Sequence, residues 1–145
     1  MHAVERLDRP RWGPVSFRRI ADQRGDLTVI ESSLDIEFDI ARVYYLYNVP
    51  VAAERAGHAH RALDQVYLAL NGSFDVHLDD GSVRETVTLN RPDQGLYIRP
   101  GVWRTIDNFV ESSVCFVLAS ALYNEDDYIR SYDDFQAYLR RKQVE

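Results

Sequence analysis

Two histidines stand two residues apart in GHAHRALDQVYLALNG, residues 57–72. On an extended strand alternate side chains share a face, so His58 and His60 would point the same way. Such a pair can ligate a metal, move protons, or simply face solvent. Histidine suits proton transfer because its unperturbed pKa, about 6.5, lies near neutrality. The residues that join the pair decide between these uses. Gln65 follows shortly after, Gly72 closes the segment, and RPGVWRTIDN later places Arg104 behind a Pro100-Gly101 turn.

These pieces resemble the cupin barrels, which carry an HxH pair, a glutamate a few residues on, a turn glycine, and a later histidine after a Pro/Gly turn. Gln65 stands where the glutamate would be, and Arg104 where the late histidine would be. A guanidinium has no lone pair to give and stays charged at any working pH. Beside a divalent ion it would repel it. Two imidazoles and an amide are a poor site for a first-row metal. No metal is expected, and His58 and His60 are left for acid–base work.

The elements that must hold them are mostly strands. VSFRRI, LTVIES, RVYYLYNV, DQVYLAL, SFDVHL, VRETVTL, GLYIRP, RTIDNF and SVCFVLAS are rich in β-branched and aromatic residues. Turn sequences separate them, including Asn71-Gly72 and Asp79-Asp80-Gly81. Strands this closely spaced predict an antiparallel sandwich or barrel, not βαβ units. The expected fold is all-β: a cupin-type double-stranded β-helix, or jelly roll, over residues 15–120. An irregular arm over 1–14, broken by Pro10, Gly13 and Pro14, would precede it. A C-terminal helical segment over 124–142 would follow. There Tyr128, Tyr132, Phe135 and Leu139 recur at helical spacing, with Asn124 as a cap and Ser131 as a possible second start.

A chain of 145 residues with net charge −6 is the size of one domain and a poor partner for nucleic acid, which wants a basic face. Cys115 is the only cysteine. It lies in an apolar run and reads as core. The N-terminus has no apolar signal region and no segment is long enough to span a membrane. A cytoplasmic protein that needs no membrane partner is expected.

Beyond HxH, the stretches RVYY, HAH, LDDG, GLYI, PGVW and DYIR occur in this order. In these the chain resembles the nucleotide-sugar 3,4-ketoisomerases, which act on dTDP-4-keto-6-deoxyglucose. The resemblance implies an RmlC-like jelly roll, no cofactor, a dTDP-sugar substrate, and a homodimer with exchanged N-terminal strands. The usual HAHK is HAHR here, so Arg61 replaces a lysine.

Moving a ketone from C4 to C3 needs a base on C3, a proton shuttle and a donor to the enediolate oxygen. His60 is favoured as the base, with His58 as the second proton-transfer group and Tyr44 as a relay. Arg42, Arg55, Arg104, Trp103, Tyr97 and Arg24 are the candidate substrate-binding residues. Arg18, Arg19, Arg61 and Arg99 are candidates for the diphosphate, and His77 reads as an exposed strand residue. In the resembling family Arg24 suits a galacto product and Arg104 a gluco product. The gluco product is favoured, since Arg104 would point into the barrel. An RmlC-type epimerase and a non-catalytic sugar-nucleotide-binding cupin are the alternatives.

Overall fold

The computed structural model describes residues 10–144. Twelve strands form most of it: β1 Trp12–Ser16, β2 Arg18–Asp22, β3 Gly25–Val29, β4 Arg42–Leu46, β5 Arg55–His60, β6 Gln65–Asn71, β7 Phe74–Asp79, β8 Arg84–Leu89, β9 Gln94–Ile98, β10 Trp103–Asp107, β11 Val114–Ala119 and β12 Tyr128–Ile129. One five-stranded sheet runs β1-β9-β6-β11-β4 and the other runs β12-β5-β10-β7-β8. All pairings are antiparallel. This is an antiparallel sandwich, as the strand spacing predicts, and the jelly roll that the resemblance implies.

Inward-facing residues of both sheets make the main core. Tyr67 and Ala69 on β6, Phe74, Val76 and Leu78 on β7, Leu96 and Ile98 on β9, Ile106 on β10, and Cys115 and Val117 on β11 are all buried together. Burial raises the Cys115 thiol to about 12, so it is an inert core residue, as its apolar run suggests. Residues 30–40 carry Ile30, Ile36, Phe38 and Ile40 across the outer face of the first sheet, over Val66, Leu68 and Leu118. The C-terminal helix covers the outer face of the second.

Three boundaries differ from the sequence reading. The segment VSFRRI is two strands, not one. Phe17 turns inward between them, 6% exposed, and its N–H donates to the Asp93 carbonyl. The arm is also partly ordered into sheet: Trp12 to Ser16 pair with Ile98 to Gln94. Pro14 is tolerated there because β1 is an edge strand, where alternate N–H groups point away from the sheet and need no ladder partner. Residues 1–9, with His2, lie outside the described residues.

The third difference is at the C-terminus. Residues 124–142 are not one helical segment. A 3-10 turn, Glu125–Asp127, is capped by Asn124, whose side chain accepts from the Asp126 N–H. Strand β12 then pairs Tyr128 with His60 and Ile129 with Ala59. The α-helix of the described residues, α1 Tyr132–Val144, starts only after Ser131, whose hydroxyl accepts from the Asp134 N–H. Phe135 and Tyr138 pack α1 on Ala59 and Ile129, with Trp103, Tyr132 and Leu139 alongside.

The turn glycines carry the conformations that their sequences imply. Gly72, in the β6–β7 turn, has φ +70°, and a Cβ there would lie 2.3 Å from Ser113 Oγ and 2.9 Å from Ser113 Cα. Backbone cannot move aside cheaply, and a non-glycine residue in this region is itself strained. Gly72→Ala should therefore destabilise the fold by about 2 kcal/mol or more, read from denaturant melts.

Candidate active site

The site is built where β4, β5, β6 and β12 meet. On β5, Ala56 and Gly57 both have left-handed backbone, φ +70° and +74°. The pairing with β10 slips at the same place: Arg104 faces His58 and Thr105 faces Ala56. This is a bulge, a device that re-aims a side chain next to a site. Beyond it His58 and His60 share the inner face, with ring centroids 4.8 Å apart.

Tyr128 closes over both rings, 5.1 Å from His58 and 4.4 Å from His60. Behind them, Asp127 Oδ2 lies 2.8 Å from His60 Nδ1. A carboxylate only accepts, so this Nδ1 carries the proton and Nε2 holds the lone pair. The other Asp127 oxygen takes the Ala62 N–H at 2.7 Å, which locks the carboxylate in place. Gly101 completes the support by donating its N–H to the His60 carbonyl at 2.8 Å.

His58 lines a cavity of about 470 Å³ between the sheets, within the range of small-ligand sites. Tyr44, Tyr67, Tyr123 and Tyr128 share the wall with it, and Arg42, Arg55 and Arg130 are its cations. Arg130 is held by both Glu125 oxygens, at 2.6 and 2.8 Å, and stacks 4.1 Å from the Tyr128 ring centre. Among the described residues no carboxylate pairs with Arg42 or Arg55, so both keep their charge for a ligand. Arg42 lies against the rings of Tyr44 and Tyr123.

Behind the wall, Arg104 has no exposed surface. It donates to Gln65 Oε1 and to the Val102 carbonyl. Gln65 Nε2 in turn donates to the Tyr44 hydroxyl at 3.0 Å. This positive charge stands beside the histidines and shapes them. Burial first, then Arg104, His60 and Arg130, push His58 down to about 2, against a bond from its ring to the Ala56 backbone. Burial, Arg104, Arg42 and Arg130 push His60 down to about 2. Both imidazoles are therefore neutral bases, each with a buried, unpaired Nε2. Tyr44 is pushed far up, chiefly by burial, and stays a proton donor.

The donor set does not suit a metal. Gln65 and Arg104, at the would-be ligand positions, are bonded to each other. Both histidines face a fixed positive charge that would repel a divalent ion.

The family model for FdtA, WxcM-like, C-terminal, matches residues 13–140. The chain belongs to this family. It is 44% identical over 131 residues to the TDP-4-oxo-6-deoxy-alpha-D-glucose-3,4-oxoisomerase of Aneurinibacillus thermoaerophilus, covering 90% of this chain and 94% of that one. A mutant of the 3,4-ketoisomerase QdtA from Thermoanaerobacterium thermosaccharolyticum, in complex with TDP-4-keto-6-deoxyglucose, is similar throughout. It has a TM-score of 0.89 and 41% identity over 93% of this chain and 98% of that one. The TDP-quinovose 3,4-ketoisomerase WlaRB of Campylobacter jejuni gives 0.83 and 40%, over 87% and 97%.

Within this family member the sequence-predicted residues divide cleanly. His58, Tyr44, Arg42 and Arg55 line the cavity, and His60 and Arg104 stand directly behind it. Trp103 does not join them. It faces outward under α1, with ring centroids 5.4 Å from Tyr132 and 5.9 Å from Phe135. Tyr97 also faces the outer side of its sheet, against Phe38, and donates to Asp64. Arg24 lies in the β2–β3 turn, its side chain 90% exposed and paired with Asp22.

Arg18 and Arg19 pair with Asp35 and Asp26 on that same hairpin region. Arg99 pairs with Glu37, and Arg61 reaches the Asp126 carbonyl. None of these four lines the cavity. His77 is more engaged than an exposed strand residue, between Thr86 and Asp107. Sequence reasoning missed Asp127, Tyr128 and Arg130, because the helical spacing of the aromatics drew residue 128 into a helix. The turn-like Asn124 start and the later Ser131 cap were the signals that a non-helical piece lay between.

Neutral buried histidines carry a pH signature. The unfolded chain protonates them below about 6.5, whereas the folded protein holds them unprotonated to about 2. The unfolded state then binds more protons, so stability should fall as pH drops below about 6.5, by up to ~1.4 kcal/mol per pH unit for each histidine. Denaturant melts between pH 7 and 5 should show this slope, and His58→Asn should remove roughly half of the histidine contribution.

Proposed function

We propose that this protein moves the ketone of TDP-4-keto-6-deoxyglucose from C4 to C3 through an enediol, with no metal or organic cofactor. The observation that carries the reading is one cavity with a neutral imidazole in its wall, a second directly behind, a protonated tyrosine beside them, and two uncommitted arginines. The relatives named above act on, or were crystallised with, sugars of this class.

The cavity favours an order of histidines opposite to the one expected from sequence. His58 borders the space where a sugar would lie, so it takes the proton from C3 and returns it to C4. His60 stands behind it, so with Tyr44 it serves the oxygens. Tyr44 gives a proton to O4 as the C4 carbonyl becomes an enediol hydroxyl, and the O3 proton passes back to Tyr44 as the C3 ketone forms. Arg42 and Arg55 neutralise the diphosphate, and guanidinium forks suit phosphate oxygens. The product is the gluco isomer, dTDP-3-keto-6-deoxyglucose. Arg104 is paired with His58 across the strands, next to the reacting carbons, while Arg24 is held in an exposed turn by Asp22.

The protein works as a dimer that exchanges its N-terminal hairpins. Every residue of β2 is exposed, with Ile20 at 60% and Leu27 on β3 at 55%. Strand β4 is an edge of its sheet and leaves Val43 and Tyr45 bare. Unpaired apolar edges of this kind invite a second chain.

Incubation with dTDP-4-keto-6-deoxyglucose in D₂O, followed by NMR, should show ketone migration. Deuterium at C5 without migration would mean an epimerase, and binding without exchange a non-catalytic cupin. The fresh product should have an equatorial C4 hydroxyl, seen as a large H4–H5 coupling; an axial one would overturn the gluco assignment. His58→Asn should lower kcat by roughly 10²–10⁴ while keeping dTDP binding. Light scattering at micromolar concentration should give twice the chain mass, and a monomer would contradict the exchanged hairpins.

A further inference from the structure

Gln65 is fully buried and does not border the cavity, yet its orientation is fully determined. Arg104 has only donors, so the atom that it reaches must be the amide oxygen Oε1. The amide nitrogen then faces Tyr44 and donates to its hydroxyl at 3.0 Å. A free glutamine could turn over. This one cannot, because turning would set an N–H against the guanidinium.

Tyr67 stands against the same cation, with the Arg104 guanidinium 6.0 Å from its ring centre. A phenol oxygen has two lone pairs and one proton. The Gln65 N–H fills one lone pair of Tyr44, and the proton is left for the cavity that Tyr44 borders.

Gln65 reaches Tyr44 because of the sheet register. Strand β11 lies between β4 and β6, with Val117 between Tyr44 and Tyr67 and Ala119 between Arg42 and Gln65. The small side chain of Ala119 leaves room for Gln65 to reach across to Tyr44.

We infer that Gln65 is a positioning residue: clamped by the buried Arg104, it fixes the Tyr44 hydroxyl as a donor toward the ketone oxygen of the bound sugar. The inference rests on the reading that a keto sugar occupies this cavity. The same donor serves the next step. When Tyr44 passes its proton to O4, the phenolate left behind is held by the Gln65 N–H until the O3 proton restores it.

Gln65→Glu tests this, because a carboxylate still pairs with Arg104 but offers Tyr44 only an acceptor. The Tyr44 proton would then turn away from the cavity. The variant should fold, lose about 10²-fold in kcat, and keep KM within about fivefold. In a Tyr44→Phe background the same exchange should change kcat less than about threefold. A kcat near wild type, or an equal loss without the Tyr44 hydroxyl, would overturn the inference.

A readout without turnover separates it from the isomerase reading. dTDP-4-keto-6-deoxyglucose labelled with ¹³C at C4, bound to His58→Asn protein, should show its carbonyl stretch at lower wavenumber than in the Gln65→Glu/His58→Asn double variant. Equal stretches would overturn the inference. Should Gln65→Glu fail to fold, Gln65→Met removes the same donor and should raise the stretch likewise. A sugar whose stretch shifts as expected, but which wild-type protein never isomerises, would sink the ketoisomerase reading and leave the role of Gln65 standing.

Discussion

A guanidinium with no exposed surface and no carboxylate partner among the described residues is an expensive object. Taking such an ion out of water costs several kcal/mol even after relaxation. Arg104 offsets part of that cost with hydrogen bonds to Gln65 and the Val102 carbonyl, and by lying within 6.0 Å of the Tyr67 ring centre. Its Nε remains unpaired. A charge held at this cost sets the polarity of everything around it. Together with burial, the larger cause, it keeps the two histidines neutral; it also forces the glutamine amide one way round, and it sets a fixed positive centre inside the barrel.

The rest of the site is arranged so that this charge can act on it. The bulge at Ala56 and Gly57 gives His58 its aim. Asp127 holds the proton of His60 on Nδ1 and so leaves Nε2 bare. That carboxylate is itself fixed by the Ala62 N–H, on a segment that α1 and β12 press against β5. The helix therefore supports the chemistry without touching it. Its aromatic stripe packs under Trp103 and Ile129, and the strand that it presses down carries Tyr128 over both imidazoles.

The charge balance of the whole chain is negative, yet the cavity is lined by arginines. Several arginines of this protein are committed to nearby carboxylates: Arg18 to Asp35, Arg24 to Asp22, Arg91 to Asp93, Arg130 to Glu125. Arg42 and Arg55 stand apart from that pattern. In an acidic protein, uncommitted arginines at a cavity make a local attraction for an anion without making the surface sticky to nucleic acid. The arrangement suits a small diphosphate ligand.

Much of this was legible in the sequence, and the reason is periodicity. Alternation on a strand put His58 and His60 on one face, and the turn glycines at 72, 81 and 101 all take the positive φ that their neighbours imply. The guanidinium and amide at positions 104 and 65 argued against a metal by their donor chemistry alone. The same alternation could have removed two wrong candidates. If Arg104 points inward, Trp103 beside it must point out, and Tyr97 lies between the inward Leu96 and Ile98. What the sequence could not decide was closure. Asp127, Tyr128 and Arg130 reach the site only because a two-residue strand adds to the edge of β5, across many residues of chain. Their local spacing fits a helix equally well. Short-range pattern determines which way a side chain faces; only the folded sheet determines which distant segment it will face.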